Sequence, residues 1–198
     1  MNNAKIRKAV FPVAGLGTRF FPATKAMPKE LLPIINKPLI QYATEKAVQA
    51  GIDTLIFVTG RNKRAIEDHF DSNLELELAL REQGKSEEAD MVNNVLSKDV
   101  HCVFVRQSKQ LGLGHAVLCA EKVVNNEPFA VILADDFLIS ENIGVVSELS
   151  DAFNSSGHSQ LSVCEVEGPE ISNYGVIRES EQGGKIEELI EKPNIKDA

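Results

Sequence analysis

Unbroken apolar runs alternate along this chain with stretches whose apolar positions recur every three or four residues. Lys8 to Val13, Thr54 to Thr59, 101–105 (HCVFV), 129–133 (FAVIL) and 160–166 (QLSVCEV) are of the first kind. Their continuity, in place of strict alternation, marks strands buried on both faces. Leu39, Ile40, Ala43, Ala47 and Ala50 repeat at helical spacing, with Pro38 opening the helix and Gly51 supplying a stop. The same reading predicts helices near Asn62 to Phe70, over 115–124 and over 143–154, and strands at Tyr174 to Arg178 and Lys185 to Ile190. Residues 74–96 are charged yet keep helical spacing (Leu74 with Leu78; Ala89, Val92 and Leu96), and read as an inserted pair of helices.

Strands alternating with helices predict an α/β fold with a mostly parallel sheet covered on both faces. In such sheets ligands sit beyond the carboxyl ends of the strands. Polar groups gather at those ends: the loop after Val13, Gln107 after Val105, and Asp135 after Leu133. No internal repeat or composition shift marks a boundary, so residues 1–198 read as one domain.

Charge and composition narrow the partners. A net charge of −8 with no basic block argues against nucleic acid. No run approaches the ~20 apolar residues of a membrane span. The start, MNNAKIRKAVFPVAGLG, lacks the long apolar region of a secretory signal. Cys102, Cys119 and Cys164 lie in apolar stretches without ligand spacing, which predicts buried reduced thiols and a cytoplasmic setting.

The chemistry begins at Gly15-Leu16-Gly17-Thr18-Arg19, where glycines let backbone N–H groups approach a phosphate. A P-loop would need GxxxxGK[ST], which is absent. A dinucleotide fingerprint fails too: Phe20 holds the third glycine position, prolines at 22, 28 and 33 prevent an immediate helix, and the second strand ends in Thr59-Gly60-Arg61-Asn62 without an acid. What remains is the stretch from Gly15 through Arg19, Pro22, Thr24, Pro28-Lys29-Glu30-Leu31-Leu32-Pro33, followed by Lys37-Pro38. It resembles the signature of the sugar nucleotidyltransferases, GxGTRxxPxTxxxPKxLLP and then KP. The resemblance continues in order at Gln107 with Gly112, at Leu133-Ala134-Asp135, at Asn173-Tyr174-Gly175-Val176 and at Glu191-Lys192-Pro193, so it covers nearly the whole chain.

The resemblance implies a Rossmann-like three-layer αβα sandwich, the nucleotide-diphospho-sugar transferase fold. The Lys25-to-Glu30 version of the motif and the insertion at 74–96 are most similar to bacterial members that join UTP to glucose 1-phosphate, giving UDP-glucose and pyrophosphate. It further implies Arg19 and Lys29 on the triphosphate, with Gly15, Gly17 and Thr18 amides helping and Lys25 a weaker helper. Asp135 would hold Mg²⁺, which takes one or two protein oxygens and completes its shell with phosphate and water. Gln107, with Ala14, Gly15 and Gly112 backbone groups, would read the pyrimidine, and Glu30 would reach the nucleoside. Tyr174, Gly175, Glu191 and Lys192 would take the sugar phosphate. A glutamine amide matches the imide edge of uracil and thymine alike, so UTP rests on the resemblance. A sugar phosphate is largely dianionic at neutral pH and attacks without a general base, which fits the lack of a catalytic triad. His115 reads as structural, and His69, His101 and His158 have no functional case.

Proteins of this kind continue for roughly another third beyond Glu191-Lys192-Pro193. That remainder would carry more sheet, a second metal-binding aspartate and much of a homo-oligomer interface, so the sequence reads as truncated at its C-terminus. Two other readings stay open: a thymidylyltransferase or a relative using another sugar 1-phosphate, and a non-catalytic sugar-nucleotide-binding module.

Overall fold

A computed structural model describes residues 5–139, 143–180 and 183–194, which fall into two compact units, 1–160 and 161–198. The first unit runs β1 (Lys8–Pro12), three 3₁₀ turns (Thr18–Phe20, Ala23–Lys25, Lys29–Leu31), the short pair β2 (Pro33–Ile34) and β3 (Lys37–Pro38), α1 (Leu39–Gln49), β4 (Thr54–Thr59), α2 (Arg64–Phe70), α3 (Leu74–Glu82), α4 (Ser86–Asn93), β5 (His101–Arg106), α5 (Leu113–Cys119), α6 (Glu121–Val124), β6 (Phe129–Val131) and α7 (Val145–Ser156). The second holds a 3₁₀ stretch (Gly168–Asn173) and the antiparallel pair β7 (Gly175–Glu179) and β8 (Ile186–Glu191).

Four parallel strands lie in the order β5-β4-β1-β6. Their alternating side chains feed two cores. Phe11, Leu55 and Phe57 pack with Ile40, Ala47 and Ile66 on one face, joined by Val146 and Phe153 from α7. Val10, Ile56 and Val58 pack with Ala116, Ala120 and Val124 of α5 and α6 on the other. Helices on both faces explain why the strands read as continuous apolar runs. Register aligns Phe11 with Phe57 and Phe57 with Phe104, and these rings stack at 5.1 and 5.2 Å between centroids. Each fully buried aromatic contributes about 1.5–3 kcal/mol by leaving water.

Helix α1 starts one residue after the predicted proline, which takes the N-cap, and Gly51 ends it with φ +84°. The charged segment from residue 74 holds the two helices α3 and α4: Asn73 Oδ1 accepts from Leu76 N at 3.0 Å, and Arg81 links Glu77 and Asp90 across the pair. The predicted strand at 160–166 does not form. An apolar run becomes a strand only where a ladder partner takes its backbone groups, and no described strand pairs with it. Leu161 and Val163 are exposed. Cys164 is exposed for the same reason, and Cys102 and Cys119 are half-buried, so the expected burial of all three thiols is corrected. No helix among the described residues is long and apolar enough to cross a membrane.

Candidate active site

The carboxyl rim of the sheet is drawn tight where β1 and β4 end. Val13 N donates to Val58 O at 3.0 Å, and a Cβ placed on Gly60 would come within 3.1 Å of Ala14 O. Glycine at 60 therefore permits the close approach of the two loops. Ala14 is buried, whereas Gly15 stands open with nothing within 4 Å of an added Cβ. Gly17 has φ +68°, and an added Cβ would sit 3.3 Å from Lys29 Cβ and from Thr24 Cγ2. Thr24 Oγ1 donates to Gly17 O at 2.7 Å. The glycine loop thus folds back onto the Pro28-Lys29 segment and leaves Thr18 and Arg19 exposed above it.

Lys29 rises from the third 3₁₀ turn to meet Asp135, which follows the buried Ala134 beyond β6. Lys29 Nζ donates to Asp135 Oδ2 at 2.5 Å, with the two side chains 18% and 29% exposed. Desolvation holds the neighbouring Asp136 carboxyl above the ordinary carboxylate range, the Asp135 charge adds to this, and Lys29 and Arg19 oppose it. Arg19 is therefore felt electrostatically at the Asp135-Asp136 turn although it makes no close contact there. Among the described residues no cluster of three or more His, Cys, Asp or Glu could hold a metal by itself. A single hard carboxylate at the rim, one oxygen of it already engaging a cation, fits an ion that completes its shell with phosphate and water.

Glu30, expected to reach the nucleoside, is 1% exposed and turned inward. Lys63 Nζ, on an 8% exposed side chain, donates to Glu30 Oε2 at 2.7 Å. The one-turn 3₁₀ geometry of Lys29–Leu31 explains the split, since successive side chains on a helical turn diverge by about 120°. Lys25 is exposed.

Gln107 continues β5 past its end: its backbone N–H bonds to Thr59 O at 2.8 Å, and the residue is 5% exposed. Its Nε2 donates to Gly112 O at 3.2 Å and lies 3.0 Å from His115 Nδ1. Gly112, with φ +94°, lets the chain turn back so that its carbonyl meets this amide. Gln110 Nε2 donates to Ala14 O at 2.7 Å. The Ala14–Gly17 segment therefore meets Gln110 at Ala14 O and lies beside Lys29 at Gly17. Lys63, Gln110 and His115 were not among the sequence-derived candidates. Each sits in a polar loop or at a helix start, where only the fold reveals its partner.

The second unit gathers its own four candidates at one end of its strand pair. Gly175 pairs with Glu191, and a Cβ on Gly175 would lie 3.3 Å from Glu191 Oε2. Lys192 N–H bonds to Tyr174 O at 3.0 Å, and Lys192 itself takes φ +48°. Tyr174, Glu191 and Lys192 are exposed, and Lys192 Nζ lies 3.8 Å from Glu191 Oε1.

Residues 8–198 match the nucleotidyl transferase family. A UTP–glucose-1-phosphate uridylyltransferase of Bacillus subtilis (strain 168) is 48% identical over 198 residues, a match covering 98% of this chain and 66% of that protein. The fold superposes on a UTP-bound UGPase from Acinetobacter baumannii with a TM-score of 0.91 at 38% identity, covering 98% of this chain and 70% of that one. A UDP-glucose pyrophosphorylase complexed with UDP-glucose gives 0.83 at 44% identity, over 98% and 71% of the two chains. The chain spans 66% of the length of the Bacillus protein, just under two thirds.

Proposed function

This chain belongs to the nucleotidyl transferase family, and we propose that it carries the nucleotide half of an enzyme transferring a uridylyl group from UTP to glucose 1-phosphate. The products are UDP-glucose and pyrophosphate. The observation that carries the reading is Lys29 bonded to Asp135 at the sheet rim, beside an open glycine loop. The similarity to uridylyltransferases supports the choice of UTP and glucose.

The sugar phosphate supplies its own nucleophile, because its second ionisation lies near 6 and leaves a dianion at neutral pH. Its oxygen attacks the α-phosphorus in line, and the bond to the pyrophosphate oxygen breaks. The protein's task is to hold two polyanions together and to receive charge on the departing pyrophosphate. Lys29 and Arg19 bring positive charge, and the Gly15, Gly17 and Thr18 backbone donates from positions free of side-chain walls. Arrival of a triphosphate gives Lys29 a stronger anionic partner than Asp135. Asp135, so released, would hold Mg²⁺, which when bound would neutralise phosphate charge. Gln107 faces the nucleobase. Tyr174, Gly175, Glu191 and Lys192 take the sugar phosphate, Glu191 accepting from hydroxyls and Lys192 pairing with the phosphate. We place the reaction in the cytoplasm, where three unpaired thiols persist.

The test is pyrophosphate release from UTP and glucose 1-phosphate with Mg²⁺, paired with UTP titration calorimetry. Lys29→Ala and Asp135→Asn should each slow release by about 10²–10³-fold, the size of losing one charge-stabilising group, while the melting curve is kept. Unchanged rates in both variants would refute the assignment. UDP-glucose binding with no pyrophosphate ever released would favour a binding module instead.

A further inference from the structure

We propose that His115 is a positioning residue that decides which end of the Gln107 amide the nucleobase meets, and so sets the choice between pyrimidines with and without a ring N–H. This rests on the reading above that Gln107 faces the base.

The argument is a count of donors. A glutamine amide has two N–H donors at Nε2 and an acceptor at Oε1. Gly112 O lies 3.2 Å from the amide nitrogen and, being a carbonyl, can only accept. That contact orients Nε2 toward α5, since turning the amide over would set two acceptors against each other. The second N–H then points at His115 Nδ1, 3.0 Å away. Nδ1 accepts it only in the neutral tautomer whose proton sits on Nε2. Cys119 Sγ, one turn along α5, is 3.9 Å from the same nitrogen and too weak a donor to displace the amide.

Both donors are thereby consumed inside the protein, and none of the described groups donates to Gln107 Oε1. The residue is 5% exposed, with its backbone N–H fixed to Thr59 O at 2.8 Å, so the side chain has little room to reorient toward water. What it offers a ligand is a fixed acceptor. Uracil and thymine carry a ring N–H that bonds to it. Cytosine presents a bare ring nitrogen at that position, which sets acceptor against acceptor. Without His115 one amide N–H would be unpaired and the amide held by Gly112 O alone, so Oε1 would no longer be fixed toward the ring N–H of uracil.

The test is calorimetric binding of UTP and CTP to the intact chain and to three variants, with a thermal melt for each. The unaltered chain should favour UTP by about 10²-fold or more, as expected of a buried site built around a substrate N–H. His115→Leu should weaken UTP binding by about tenfold, the scale of one hydrogen bond. CTP should be little affected, so the UTP:CTP ratio contracts by the same factor. His115→Gln, whose side-chain carbonyl can accept from the amide, should restore most of the ratio. If the leucine variant fails to fold, His115→Lys, which can only donate, takes its place with the same contraction expected. Equal weakening of both nucleotides, or an unchanged ratio in a folded donor-only or apolar variant, would overturn the proposal. Gln107→Leu separates it from the reading beneath it. Lost discrimination there with an intact ratio at His115 variants sinks His115 alone, and an unchanged ratio at Gln107→Leu removes Gln107 from the base.

Discussion

Burial pushes the Cys102 thiol up to about 11, so only about one molecule in a thousand carries the reactive thiolate at pH 8. Cys164, in contrast, is exposed on an unpaired segment. Iodoacetamide at pH 8, followed by peptide mapping, should label Cys164 first and Cys102 last. The gap should narrow as pH rises toward 11, because the thiol predominates below its raised value and is lost above it. Equal labelling at pH 8 would contradict this picture of the two environments. The same dependence on surroundings decides which site residues could be read from sequence. Lys29 stands in a long motif and Asp135 at the end of an apolar run, and their chemistry is that of their charge. His115 has no such signal: it lies eight positions after Gln107, and only the turn at Gly112 brings its Nδ1 to 3.0 Å from Gln107 Nε2.

Elements were legible where a single local rule governs them. Thr54 to Thr59 is apolar, β-branched-rich and bounded by turn residues, and it forms β4 over the same residues. The run at 160–166 satisfies the same local rule but lacks a ladder partner, so it does not form a strand. Sequence carries apolarity; pairing is supplied by the fold. Glu30 is the converse case, a charge buried because another element reaches it. Lys63 precedes α2 at the N-cap and clamps the Lys29–Leu31 turn through Glu30, with the two side chains 8% and 1% exposed. Glu30 Oε1 is buried and has no partner among the described residues, so the carboxylate depends on this one ammonium. Removing Lys63 alone, as Lys63→Met, should cost about 3–5 kcal/mol of stability in urea unfolding by stranding a buried charge. Glu30→Leu together with Lys63→Met should recover most of that. A double variant no more stable than the single would show that the pair is not the strut described.

At the scale of the molecule, the nucleotide-facing candidates and both hydrophobic cores belong to the first unit. Gly15, Arg19, Lys29, Gln107 and Asp135 all precede residue 160, the last of that unit. The buried aromatics and aliphatics that hold the sheet, from Phe11 and Phe57 to Val146 and Phe153, precede it as well. The second unit contributes a two-stranded pair whose β8 is exposed along its length, and an isolated pair of this kind is marginal in water. Stability and nucleotide recognition should therefore separate from the second unit. A chain ending at residue 160 should retain a cooperative urea transition and bind UTP within about threefold of the whole, since a difference of one surface contact amounts to ~0.6 kcal/mol. Calorimetry and circular dichroism on that shortened chain decide the matter. A chain that stays folded but no longer binds UTP would mean that the rim is not the nucleotide site. A non-cooperative transition would mean that the two cores do not suffice to hold the sheet.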